Sequence, residues 1–182
     1  MDFATVIAIL LAGIFSSNFA LIECLGTGAV IENERSNRRS LIVGGGTTLV
    51  MVIATLITWP INEYLLTDIP YLQTLIFVVV ILVVVELVHL LSKNRLEGYC
   101  KVDFLKFAIN GAVLGICMHN THLEFGEAVL TAFATGLGLT LTMVVFSSLR
   151  RKIDEEAVPA SFRGLPLALL IAGLMALAVL AF

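Results

Sequence analysis

The chain has 182 residues, 59% of them hydrophobic and 14% charged, with a formal net charge of -3. Soluble domains are roughly half apolar and one-quarter charged, so this composition excludes an ordinary water-soluble globule. The weak acidic balance offers no concentrated cationic face for nucleic acid, and Cys24, Cys100 and Cys117 are too few and too widely spaced for a disulfide scaffold.

In chain order, the first apolar segment runs from about 3 to 31. Its leader, Met1-Asp2-Phe3, lacks the positive region of a cleavable signal, which predicts a mature first span. As one helix it would be about 43 Å long against a hydrocarbon core of about 30 Å. Gly26-Thr27-Gly28 near its inner end predicts a break there. Just before the break stand Glu23 and Cys24. An ionisable residue at membrane depth is costly, so Glu23 either carries a proton or cation or faces water or a partner chain that the break admits. Asn18 suits an interhelical hydrogen bond or an ion path.

The second segment, 41 to 61, opens with Gly44-Gly45-Gly46, which lacks the lysine of a phosphate-binding loop and enters a span. The third, 71 to 91, holds no charge from Leu75 to Val85, and Glu86 and His89 fall on one helical face within reach of an interface near Lys93. The fourth, 103 to 118, is short, with Lys106 near its start and Asn110-Gly111 opening its apolar core. A second break is expected there. His119, His122 and Glu124 follow, a weak metal pattern that a wet loop explains as well. The fifth and sixth segments span 128 to 149 and 163 to 182. No Ser/His/Asp triad or other soluble-enzyme constellation occurs in the chain.

All eleven Lys and Arg fall in the first, third and fifth loops: Arg35, Arg38 and Arg39; Lys93, Arg95, Lys101 and Lys106; Arg150, Arg151, Lys152 and Arg163. The second and fourth loops carry Glu63, Asp68, Glu124 and Glu127 and no cation. The positive-inside rule therefore puts both termini outside.

The second and fifth segments align without gaps. Gly44-x-Gly46-x-Thr48-Leu49-x-Met51-Val52 matches Gly136-x-Gly138-x-Thr140-Leu141-x-Met143-Val144. A shorter echo pairs Gly28-Ala29-Val30-Ile31 with Gly111-Ala112-Val113-Leu114. Three spans per half is an odd number, so the halves, about 1–100 and 101–182, are inverted. Non-helical backbone at membrane depth is tolerated where it lines a cavity or is buried in protein, so the two glycine breaks mark the expected functional centre. The alternative for those glycines is a packing contact between helices.

Ser17-Asn18-Phe19-Ala20-Leu21, Leu25-Gly26, Asn110-Gly111-Ala112-Val113-Leu114-Gly115, Val158-Pro159-Ala160-Ser161-Phe162-Arg163-Gly164 and Ala172-Gly173-Leu174-Met175 together resemble the Rnf/Nqr membrane-subunit family, in its A-type Rnf and E-type Nqr branch. The likeness covers essentially the whole chain. It implies a pair of homologous membrane subunits, each giving one cysteine from each of two broken helices to a shared [2Fe-2S] cluster. That cluster would pass electrons across the bilayer between flavin and iron-sulfur partners, coupled to Na+ or H+ movement.

In this alignment the two cluster cysteines fall on Gly28 and Gly111, which offer iron no side chain. Cys24 lies four residues before the first position and Cys117 six after the second, both displaced towards the outer face, so a relocated cluster is one expectation. Their helical faces differ, at about 40° and about 240° from the original positions. Phe104-Leu105-Lys106-Phe107 also departs from the proline-containing apolar stretch of the family.

The expectation is an all-α integral membrane protein: a single transmembrane domain of six helices in two inverted three-helix repeats, the first and fourth helices broken. It would be a subunit, not catalytic alone, of a redox-driven translocase in a bacterial or archaeal cytoplasmic (inner) membrane, beside a homologous partner (a paralogue or a second copy) and other chains of the complex. Glu23, Asn18 and Asn110 are its candidate ion path. A small transporter or channel subunit on the same scaffold without a redox centre is the alternative, and a structural anchor a third.

Overall fold

The computed structural model describes residues 3–16, 37–66, 70–96, 111–154 and 158–180. Among these, all regular structure is helical, in six α-helices. They are α1 (Phe3–Leu11), α2 (Asn37–Ile61), α3 (Gln73–Leu96), α4 (Gly111–His119), α5 (Phe125–Lys152) and α6 (Leu165–Leu180). The expected break at 26–28, with Asn18, Glu23, Cys24 and Gly28, lies outside the described residues, as do residues 97–110 and Asn110.

Among the described residues, two helical stretches are long and apolar enough to cross a membrane, Asn37–Leu66 and Phe125–Lys152. They form the centre of the molecule and run antiparallel. Ser148 Oγ donates to Asn37 Oδ1 at 3.2 Å at one end, and Trp59 Nε1 donates to the Leu123 carbonyl at 2.9 Å at the other. Trp59 also meets the ring of Phe125 edge-on, centroids 5.1 Å apart. An indole with an apolar body and a polar tip suits the end of a span.

Five threonines inside α2 and α5 bond back along their own helix. Thr47, Thr48 and Thr58 donate to the carbonyls of Val43, Gly44 and Ala54, and Thr140 and Thr142 to those of Gly136 and Gly138, at 2.8–2.9 Å. Each hydroxyl is thereby satisfied without a neighbouring helix, which lets it stay buried in apolar surroundings. Pro60 removes one ladder bond near the end of α2, and the helix continues as a wide π turn over Asn62–Leu66. A second π turn, Ala12–Ser16, continues α1. Neither wide turn is signalled by apolar periodicity.

The core lies where α3, α4 and α6 pack on this pair: Val50, Met51, Phe77, Val85, Ile116, Met143 and Phe146 are among its fully buried residues. The outward faces are apolar as well. Leu75, Val79, Val83, Leu87 and Leu90 on α3 and Leu169, Leu174 and Leu177 on α6 are exposed. Patches of this extent are foreign to water-facing surfaces and natural against lipid.

The segment Val158–Gly164 forms the cap of α6. Ala160–Phe162 is a single 3-10 turn, closed by the Phe162 amide donating to the Pro159 carbonyl at 2.9 Å, and Arg163 Nε returns to the Val158 carbonyl at 2.8 Å. Gly164 takes φ +81°, a left-handed conformation that a side chain would strain. Its carbonyl accepts from the Ala168 amide as the helix starts.

Candidate functional site

Two backbones approach closely in the centre, at the crossing of α2 and α5. A Cβ placed on Gly44 would lie 2.6 Å from Thr140 Oγ1, and one on Gly136 would lie 2.5 Å from Thr48 Cγ2. Between them, Thr48 and Thr140 meet oxygen to oxygen at 3.2 Å. The contacts are reciprocal: the glycine of each helix receives the threonine of the other, at positions offset by 92 residues in both. That offset is the one at which the sequence repeats.

Charge divides between the two ends of this pair. Arg38 and Arg39 start α2 and Arg150, Arg151 and Lys152 close α5, all at one end. Glu63, Glu124 and Glu127 stand at the other. Glu127 in the first turn of α5 and the cations in its last turn both complement the helix dipole.

At the acidic end, α4 places a polar cluster against α2. The Cys117 thiol, 2% exposed, lies within hydrogen-bonding reach of the Thr55 and Thr58 hydroxyls. Asn120, 1% exposed, donates through Nδ2 to the Ala128 carbonyl at 2.9 Å, with Thr55 Oγ1 at 3.5 Å. Thus Asn120 ties the α4–α5 turn to both central helices. Sequence reasoning singled out Cys117 but missed Thr55, Thr58 and Asn120. Their only signal was a polar residue on an otherwise apolar face.

Of the two positions at which the resemblance expects iron ligands, Gly111 is described. It is the first residue of α4, exposed, and bears no donor. Cys117 is six residues further, about 9 Å along the helix and on another face. Its sulfur is enclosed against α2 rather than presented on a surface that a second subunit could share. Cys117, as α4 places it, is therefore turned away from any surface that a second chain could reach. His119 and His122 are both exposed, and among the described residues no three His, Cys, Asp or Glu side chains converge as a metal site.

Residues 6–182 match a protein family described as Rnf-Nqr subunit, membrane protein. The chain is similar to the A-type subunit of the Na(+)-translocating ferredoxin:NAD(+) oxidoreductase complex of Acetobacterium woodii, at 33% identity over 185 residues, covering 98% of this chain and 96% of that one. It is also similar to the A-type subunits of the ion-translocating oxidoreductase complexes of Sodalis glossinidius and Serratia proteamaculans. Each is 34% identical over 173 residues, covering 91% of this chain and 90% of the relative.

Proposed function

The chain belongs to the Rnf-Nqr family of membrane subunits, and on that premise we propose that it serves as a membrane subunit of an ion-motive redox complex, supporting electron transfer across the bilayer coupled to Na+ or H+ movement. It is an integral membrane protein whose described elements are helical. The observation that carries the proposal is the end-to-end likeness to relatives named as A-type subunits of ion-translocating oxidoreductases.

We read α1–α3 and α4–α6 as inverted halves. Support comes from the antiparallel α2–α5 pair and from its reciprocal glycine-threonine contacts, which repeat at the offset of the sequence motif. The clustering of cations at one end supports a cytoplasmic placement of that end, with both termini outside, in the inner membrane of a bacterium or archaeon. A homologous subunit, either a paralogue or a second copy, is the expected partner beside the other chains of the complex.

In our reading this chain supplies no ligand to a [2Fe-2S] cluster from the family's two positions, and Cys24, the other donor of a relocated cluster, lies outside the described residues. Gly111 has nothing to bind iron with, Gly28 is likewise a glycine, and the enclosed Cys117 thiol acts in packing α4 on α2. Its contribution is then to scaffold the membrane core and to shape an ion path, for which Glu23, Asn18 and Asn110 are the sequence candidates.

Deleting the chain from its native host tests the proposal. Redox-driven ion uptake by membrane vesicles should be lost and restored by a plasmid copy; unchanged uptake would exclude the role. Gly111 favours a second reading, a small transporter or channel subunit that keeps the scaffold without a redox centre. In that case solute movement depends on the chain while redox turnover does not.

A further inference from the structure

A cavity of about 300 Å³ lies between α1 and α5 at the acidic end of the molecule. Its α5 wall is a stripe of oxygens: Glu127, Thr131 and Thr135, spaced four residues apart and so on one helical face. Each step descends about 6 Å along the axis, carrying the stripe from the first turn of α5 to a point three residues short of Gly138, in the middle of the span. Thr5 of α1 faces the upper part, and His119 stands at the rim. Gly13 closes the floor, where the turn continuing α1 meets the α5 backbone at Ala134 and Thr135.

Thr135 differs from the five threonines that bond back along their own helix and from buried Thr55, whose hydroxyl meets Asn120 and Cys117. Thr47, Thr48, Thr58, Thr140 and Thr142 all donate to the carbonyl four residues back. Thr135 is 2% exposed, yet its Oγ1 has no hydrogen-bond partner among the described residues. A hydroxyl withdrawn from water and left unpaired is unfavourable, and Thr135 lines the cavity, so a ligand at its floor would relieve that cost.

We propose that this cavity is the outer mouth of an ion path, collecting a monovalent alkali cation at Glu127 and passing it over Thr131 to Thr135. Hydroxyl and carboxylate oxygens are hard donors that replace a hydration shell, and a single carboxylate balances a single positive charge. The apolar remainder of the wall, Ile9, Ala12 and Leu123, leaves the oxygen stripe as the preferred track for an ion. The inference rests on reading the chain as a subunit of an ion-motive complex and names where its ion meets the outer side.

The test uses the whole complex in vesicles, with Na+ as the probe. The quantities read are the Na+ concentration that half-saturates redox-driven uptake, and uptake of labelled Na+ itself. Thr135→Val and Glu127→Gln should each raise the half-saturating concentration about tenfold, Thr135→Ser should return it to the parental value, and Thr121→Ala, which lies outside the cavity, should leave it unchanged. Should Thr135→Val not assemble, Glu127→Gln at the half-buried rim reads the same path. Unaltered Na+ dependence in assembled Thr135→Val and Glu127→Gln complexes would overturn the inference, leaving a cavity that holds water alone. Uptake that persists without the chain defeats the underlying reading instead, so the two failures are distinguishable.

Discussion

At the α2–α5 crossing, the smallest side chains set the distance between two backbones. Glycine in a helix interior is less favourable than alanine by about 0.5–1 kcal/mol, so Gly44 and Gly136 are retained for closeness and not for helicity. With a Cβ on Gly136 only 2.5 Å from Thr48 Cγ2, overpacking outweighs the gain in propensity. Gly136→Ala is expected to destabilise the protein by about 1–3 kcal/mol, measured as a lowered thermal midpoint in detergent. Combining it with Thr48→Gly should cost less than the two changes summed, because the pair shares one contact. Gly45→Ala, whose Cβ meets nothing within 4 Å, should be neutral or slightly stabilising. The repeat itself was legible as a string of matching letters. That its glycines and threonines face one another across a crossing was not, since a one-dimensional alignment does not say which residues of two helices touch. Thr135 was invisible for a related reason: on paper it is one more threonine in a threonine-rich span, and only the missing acceptor sets it apart.

Among the elements, α2 and α5 were the most legible, because long uninterrupted apolar runs leave little choice of state. Three of their four ends lie further out than expected: 41–61 becomes 37–61, and 128–149 becomes 125–152. The added residues are mostly polar, so hydropathy does not see them, and one of them, Asn37, accepts from Ser148 across the two helices. Of the short fourth segment, the described part is helical over Gly111–His119, with Asn120 following in a 3-10 turn. The π turns at Ala12–Ser16 and Asn62–Leu66 were unforeseen, since one extra residue in a turn leaves composition untouched. The ends of these helices also carry the orientation signal. Single cysteines placed at positions 2 and 182 should both react with a membrane-impermeant thiol reagent added from outside intact cells. Labelling only after the cytoplasm is opened would reverse the assignment.

For the whole molecule, composition excluded a soluble globule and the length of the apolar runs pointed to membrane-spanning helices. The site was less legible. A resemblance located the two places where iron ligands belong, and the residues standing there are glycines; chemistry, not pattern, then separates a cluster-bearing subunit from one that shapes the membrane core around it. The central claim is therefore a subunit of a redox complex that brings no iron ligand of its own. Its most direct test is the iron and polypeptide content of the assembly purified anaerobically through a tag on this chain, with and without Cys117→Ala. The account predicts flavin- and iron-sulfur-bearing partners in fixed ratio and iron equal to their share, unchanged by the substitution. A chain that purifies free of redox partners, or iron beyond their share that disappears with Cys117, would contradict it.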